Sequence, residues 1–131
     1  MLQAFLRKST TVDAPVPSVN FKGVWVNELG SKMTLDVTDG GNVSGTYVTN
    51  VGSPGKTEEF PLTGFASGDL IAFTVNFGKY GSLTSWSGQH TETENGAVIK
   101  TMWLLAENVP DQNEPKNLWG AVLTGADEFT R

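Results

Sequence analysis

From Phe21 onward the chain is written in short runs of alternating apolar and polar residues, broken by glycine, asparagine and proline. Ser31 to Val37 shows the rule: Met33, Leu35 and Val37 alternate with Lys32, Thr34 and Asp36. A period of two puts successive side chains on opposite faces of a strand. The pattern predicts eight strands, near 21–28, 31–38, 42–50, 58–65, 69–77, 82–91, 97–106 and 118–125. No helical period of useful length interrupts them. Asp39-Gly40-Gly41-Asn42 reads as a hairpin turn, and Asn95-Gly96 between two β-rich runs is the strongest single hairpin signal. The longest connection, Asn108 to Asn117, carries Pro110 and Pro115, which argue against a strand there.

Eight sequential strands joined by hairpins predict an all-β fold, an antiparallel up-and-down meander. Closing such a sheet removes its unpaired edges, and an eight-stranded barrel has room inside for side chains and one small ligand. A two-sheet sandwich would give a similar pattern, but the closed barrel is favoured. Met1 to Asn20 begins apolar and basic and then turns polar around Pro15 and Pro17, so residues 1–20 read as a flexible N-terminal tail and 21–131 as the barrel domain. The start lacks an apolar core of the kind a signal peptide carries.

Parity then marks where chemistry could sit. Residues two apart share a face, so Trp25 goes with Asn27, Tyr47 with Thr49, Ser82 and Thr84 with Trp86, and Trp103 with Leu105. If the tryptophans point inward, Asn27, Thr49 and Thr84 do too. A dry core avoids this, because a buried polar group without a partner costs about 1–3 kcal/mol. A cavity walled by aromatics and set with a few polar groups suits a small molecule. Parity alone leaves open that these residues are β-formers on the solvent face and the tryptophans pack a filled core.

Composition narrows the classes. Net charge is −5, with 9 Lys and Arg against 14 Asp and Glu, and Arg7-Lys8 is the one basic pair. A nucleic-acid partner needs a basic stripe, so none is expected. There is no cysteine, so no disulfide or thiolate chemistry. No apolar run approaches the roughly 18–20 residues that cross a bilayer, so no membrane role is expected. The lone His90, late in the sixth strand, is expected on the solvent face and cannot build a zinc site without a second His or a Cys. No nucleophile triad, phosphate loop or carboxylate pair stands out, so the chain reads as a binder and not an enzyme.

Several stretches resemble the avidin and streptavidin family. Trp25-Val26-Asn27-Glu28-Leu29-Gly30-Ser31-Lys32-Met33 looks like its first hairpin, and Val43-Ser44-Gly45-Thr46-Tyr47-Val48-Thr49 its third strand. Phe73 to Phe77, Thr84 to Gln89 and Lys100 to Leu105 resemble its fifth, sixth and seventh strands, and Leu118-Trp119 with Leu123 to Thr130 its end. The matches are collinear and cover nearly all of 21–131.

The resemblance implies tight, non-catalytic biotin binding in the open end of the barrel, with vitamin sequestration as the purpose and no cofactor. It places Asn27, Ser31 and Tyr47 as donors to the ureido oxygen. Asp127 and Thr49 become acceptors for the ureido N–H groups. Thr84 lies near the sulfur, and Ser82 and Ser53 near the valerate carboxylate, Ser53 in a loop like the family's lid. The walls are Phe77, Trp86 and Trp103, with Leu105 beside the ring and Trp25 deeper in the core. Phe77 stands where the family usually carries tryptophan. Trp119 matches the tryptophan that tetrameric relatives lend across an interface to a neighbour's ligand; with no cysteine for the disulfide of dimeric relatives, a homotetramer is favoured over a dimer. Biotin and biotinylated molecules are the implied partners, and a secreted, extracellular location is expected. Three other readings compete. A lipocalin-like carrier of another small apolar ligand would want an inward Arg or Lys. A barrel enzyme needs an acid–base pair. A carbohydrate-binding sandwich would expose its tryptophans.

Overall fold

The structure, a computed structural model, describes residues 16–49, 58–108 and 122–131. Eight antiparallel strands close into one barrel in sequence order. They are β1 (Gly23–Asn27), β2 (Lys32–Val37), β3 (Asn42–Val48), β4 (Glu59–Ser67), β5 (Leu70–Asn76), β6 (Ser82–Thr93), β7 (Gly96–Glu107) and β8 (Val122–Thr130). One turn of 3-10 helix, Gly78–Tyr80, links β5 to β6. Closure is brief: β1 meets β8 through Val26↔Thr130 and Asn27↔Phe129.

The alternating pattern works as read. On β2 Met33, Leu35 and Val37 are buried and Lys32, Thr34 and Asp36 are exposed. The first seven predicted strands match β1 to β7 with their ends displaced by at most two residues. The last does not: β8 continues to Thr130, past the predicted end at 125. Gly125, Asp127 and Glu128 are poor strand formers, yet pairing with β7 from Ala106↔Val122 to Val98↔Thr130 overrides that preference. The Asn95-Gly96 hairpin forms with Glu94 and Asn95 between the paired Thr93 and Gly96, and Gly96 takes φ +109°. Among the described residues positive φ occurs at glycines alone.

In a meander, alternate turns fall at alternate ends. The β2–β3, β4–β5 and β6–β7 turns therefore lie at one end with both termini of the barrel, and the β1–β2 and β5–β6 connections at the other. The terminal end is plugged. Phe21, Ile71, Ile99 and Phe129 are all at most 2% exposed. Before β1, Ser18 N–H donates to the Gly68 carbonyl, and Gly68 N–H to that of Val16. Residues 1–15 of the predicted tail lie outside the described residues.

His90 corrects an expectation: it is buried, 8% exposed, and not on the solvent face. It shares the inward parity of Thr84, Trp86 and Gly88, and its ring stands edge-on to Phe21 at 5.8 Å and Trp25 at 6.1 Å.

Trp25 is the centre of this plug. It is fully buried and its Nε1–H donates to the Phe21 carbonyl at 2.9 Å. The Arg131 guanidinium lies over its ring, 4.1 Å from the centroid, and donates to the carbonyls of Asn20 and Lys22. One cation thus ties β8 to the segment before β1, where the ladder itself is shortest. Arg131→Ala is expected to lower stability by about 1–2 kcal/mol, read as a drop in thermal midpoint, because it removes both the ring contact and the carbonyl bonds.

Candidate functional site

Among the described residues the buried polar side chains are Asn27, Ser31, Thr84, His90, Thr101 and Asp127. His90 belongs to the plug. The other five lie towards the opposite end, so the tube is apolar at one end and polar-lined at the other.

Asn27 ends β1 and its amide is fixed by the turn that follows. Its Oδ1 accepts from the backbone N–H groups of Leu29, at 3.1 Å, and Ser31, at 2.9 Å. With the oxygen so occupied, the NH₂ must face the tube, and it reaches Tyr47 Oη at a loose 3.4 Å. The Tyr47 phenol also hydrogen-bonds to the Ser31 hydroxyl. Burial pushes the phenol above its ordinary pKa; the bonds to Ser31 and Asn27 pull it down and the negative charge of Asp127 pushes it up. It therefore stays a protonated donor at neutral pH. Three donors, from β1, the β1–β2 turn and β3, converge on one region of the tube.

Asp127 faces them from β8. Its Oδ2 accepts the Trp86 Nε1–H at 2.8 Å, and its backbone carbonyl accepts the Thr101 hydroxyl at 3.0 Å. The carboxyl pKa is pushed up to about 6. Burial is the largest cause; the bonds from Trp86 and Asn27 oppose it, while hydrogen bonding to Glu28 and its charge reinforce it. Thr49, one residue beyond β3 and on the parity of Tyr47, is half-buried.

Aromatic rings form the wall. Trp86 stacks on Phe73, centroids 5.2 Å apart and planes 16° apart, and lies 5.2 Å from the Tyr47 ring. Phe77, half-buried, sits edge-on to Tyr47 at 6.0 Å and to Phe60 at 4.8 Å. Trp103 is half-buried and pairs with Trp86 across β6 and β7. On its other side stands Gly125, where an added Cβ would come within 2.4 Å of the indole. The missing side chain is what lets the Trp103 ring lie across β8. Thr84 is buried between Val75 of β5 and Leu105 of β7, the latter half-buried. Ser82 is at the rim, beside an open surface depression that exposed Asn76, Leu83 and Glu107 also line.

The structure thus brings Asn27, Ser31, Tyr47, Thr84, Trp86, Trp103 and Asp127 into the polar half of the barrel, with Thr49, Phe77, Ser82 and Leu105 nearer its edge. Ser53 and Trp119 lie outside the described residues. The sequence reading missed Thr101, Phe60, Phe73 and Gly125. Parity could have found three of them: Thr101 is two residues from Trp103, Phe73 is two from Val75, and Gly125 two from Asp127.

The profile of the avidin family matches residues 16–131. The chain belongs to the avidin family. Its sequence is 40% identical over 116 residues to avidin-related protein 4/5 of Gallus gallus, covering 83% of this chain and 75% of that protein. The crystal structure of xenavidin superposes with a TM-score of 0.74 at 34% identity, covering 86% of this chain and 97% of that one. That of a rhizavidin–biotin complex superposes at 0.66 and 31% identity, covering 84% and 90%. This avidin-family barrel gathers Asn27, Ser31, Thr84, Thr101 and Asp127 with Trp86 and Trp103 in the half opposite the plug.

Proposed function

We propose that this protein binds biotin in the polar half of the barrel and releases it unchanged. The observation that carries this reading is the opposed polarity of the two sides of the site. Asn27, Ser31 and Tyr47 offer N–H and O–H donors on one side, and the Asp127 carboxyl group faces them as an acceptor. A cyclic urea has the complementary form, one carbonyl oxygen and two N–H groups. Three donors on one oxygen draw charge onto it, as an oxyanion hole does in catalysis, and strengthen the N–H groups opposite as donors. Trp86, Trp103 and Phe77 supply the apolar faces for the fused rings. Thr49 accepts the second N–H, Thr84 lies by the sulfur, and Ser82 with Ser53 meets the carboxylate tail. Membership of the family and the rhizavidin–biotin neighbour support this over a lipocalin-like carrier.

The outer face supports oligomerisation. Leu83, Met102 and Leu104 are 48%, 61% and 53% exposed, and the register sets Ala106 and Ala126 beside them. An apolar patch of this kind on β6 to β8, bordered by Lys100 and Glu128, supports a homotetramer in which Trp119 reaches a neighbour's site. The protein is secreted in this reading and sequesters the vitamin.

Isothermal titration with biotin is the test. One biotin per chain with large exothermic heat is expected, and no heat with a fatty acid. Absence of binding at micromolar protein would refute the function. Phe77→Trp is expected to slow biotin dissociation about 3- to 30-fold, since a larger ring covers more ligand and each 1.4 kcal/mol is tenfold. Stopped-flow or chase kinetics would read it.

A further inference from the structure

Glu28 has no role in the ligand contacts above, yet the fold sets it against one of them. It follows Asn27 in the β1–β2 turn, which Gly30 N–H closes by donating to the Asn27 carbonyl at 3.0 Å. Across the barrel seam Asn27 pairs with Phe129, so Glu28 comes level with Glu128. Its Oε2 accepts the Glu128 N–H at 3.0 Å, which holds the carboxylate one residue from Asp127. The two carboxyl groups are thereby neighbours, and each acts on the other's ionisation. Two neighbouring carboxylates repel, so ionising both is disfavoured and a proton on one of them is favoured.

We propose that Glu28 is a positioning residue for Asp127, sharing one proton with it in the empty protein, and that biotin displaces this proton when it binds. The inference rests on the biotin reading above. The proton resides on Asp127. Burial alone would raise Glu28, but its bonds to Asp127, to its own backbone N–H and to that of Glu128 outweigh this and hold it low. The buried Asp127 titrates at about 6. Two titratable groups face it: Glu28 from the turn and Tyr47 from β3, whose raised phenol stays neutral through this range. Asn27 of β1, Trp86 of β6 and Thr101 of β7 face it with neutral groups. Lys100 and Glu128 pair across β7 and β8 at exposed positions on the outer face.

The sign follows. A ligand N–H is held better by a carboxylate than by a carboxylic acid. Affinity therefore rises as pH rises through the Asp127 titration, and binding below its midpoint releases a proton. Removing the Glu28 charge lowers that midpoint, because a like charge no longer opposes ionisation.

The test uses the whole chain. Carboxyl-carbon NMR of the ligand-free protein follows Asp127 between about pH 4.5 and 8, in the wild type and in Glu28→Gln and Glu28→Ala. Calorimetry in buffers of different ionisation enthalpy reads proton release on biotin binding. The Asp127 midpoint is expected roughly one pH unit lower in both variants, with the affinity profile and the proton release shifted by the same amount. An Asp127 titration that does not move in either variant, with biotin still bound tightly, overturns the role of Glu28 and leaves the function standing. Carboxyl titrations that move while no chain binds biotin at any pH overturn the function, and with it the coupling to ligand.

Discussion

Asp127→Ala is expected to weaken biotin binding by about 30- to 5,000-fold, the cost of removing one member of a buried, charge-assisted pair. The size follows from how many groups depend on this carboxyl group. Trp86 Nε1 donates to it at 2.8 Å, and it faces the donor cluster of Asn27 and Tyr47. Alanine leaves the ligand's N–H without its acceptor and the indole N–H without its partner, and a buried donor left unpaired costs about 1–3 kcal/mol by itself. Asp127→Asn separates the two effects: it keeps an acceptor oxygen and loses the charge, so its affinity is expected between those of wild type and alanine. Dissociation kinetics are the appropriate measurement, because loss of contacts within a preformed site acts chiefly on the off-rate. Equal affinity in wild type and Asp127→Ala would remove Asp127 from the site.

The second large effect belongs to the other end of the barrel. Trp25→Ala is expected to cost about 3–5 kcal/mol of folding stability, a large part of the 5–15 kcal/mol typical of a domain. Trp25 is fully buried, bonded to the Phe21 carbonyl, edge-on to His90 and covered by Arg131. Its loss opens a cavity bordered by three separate segments, and the short β1–β8 seam offers little to compensate. Urea denaturation would read it as a fall in midpoint at unchanged slope. An unchanged midpoint would mean that the plug does not carry the fold.

Much of this was legible in the residues. Alternation located seven strands closely, because each buries one face and a period of two has no competing interpretation there. β8 was cut short because Gly125, Asp127 and Glu128 resemble a turn in isolation; only pairing with β7 makes them a strand. His90 was assigned outward on the grounds that single histidines usually are, although its parity with Trp86 pointed inward. The site was legible only in part. Asn27, Tyr47, Thr84 and Trp86 could be grouped by parity, but the bond from Trp86 to Asp127 spans 41 residues, and no local pattern encodes it. Gly125 shows the same limit: the need for an absent side chain appears only once the Trp103 ring is in place. Glu28 reads in the sequence as the last residue of the first predicted strand; the seam sets it beside Asp127.

A crystal structure of the protein grown with biotin would test the central claim most directly. The ureido oxygen is expected within about 3 Å of Asn27 Nδ2, Ser31 Oγ and Tyr47 Oη, with a ring N–H on Asp127 and the bicycle between Trp86 and Trp103. Biotin bound elsewhere, or a tube closed by its own side chains with those donors paired to one another, would contradict it.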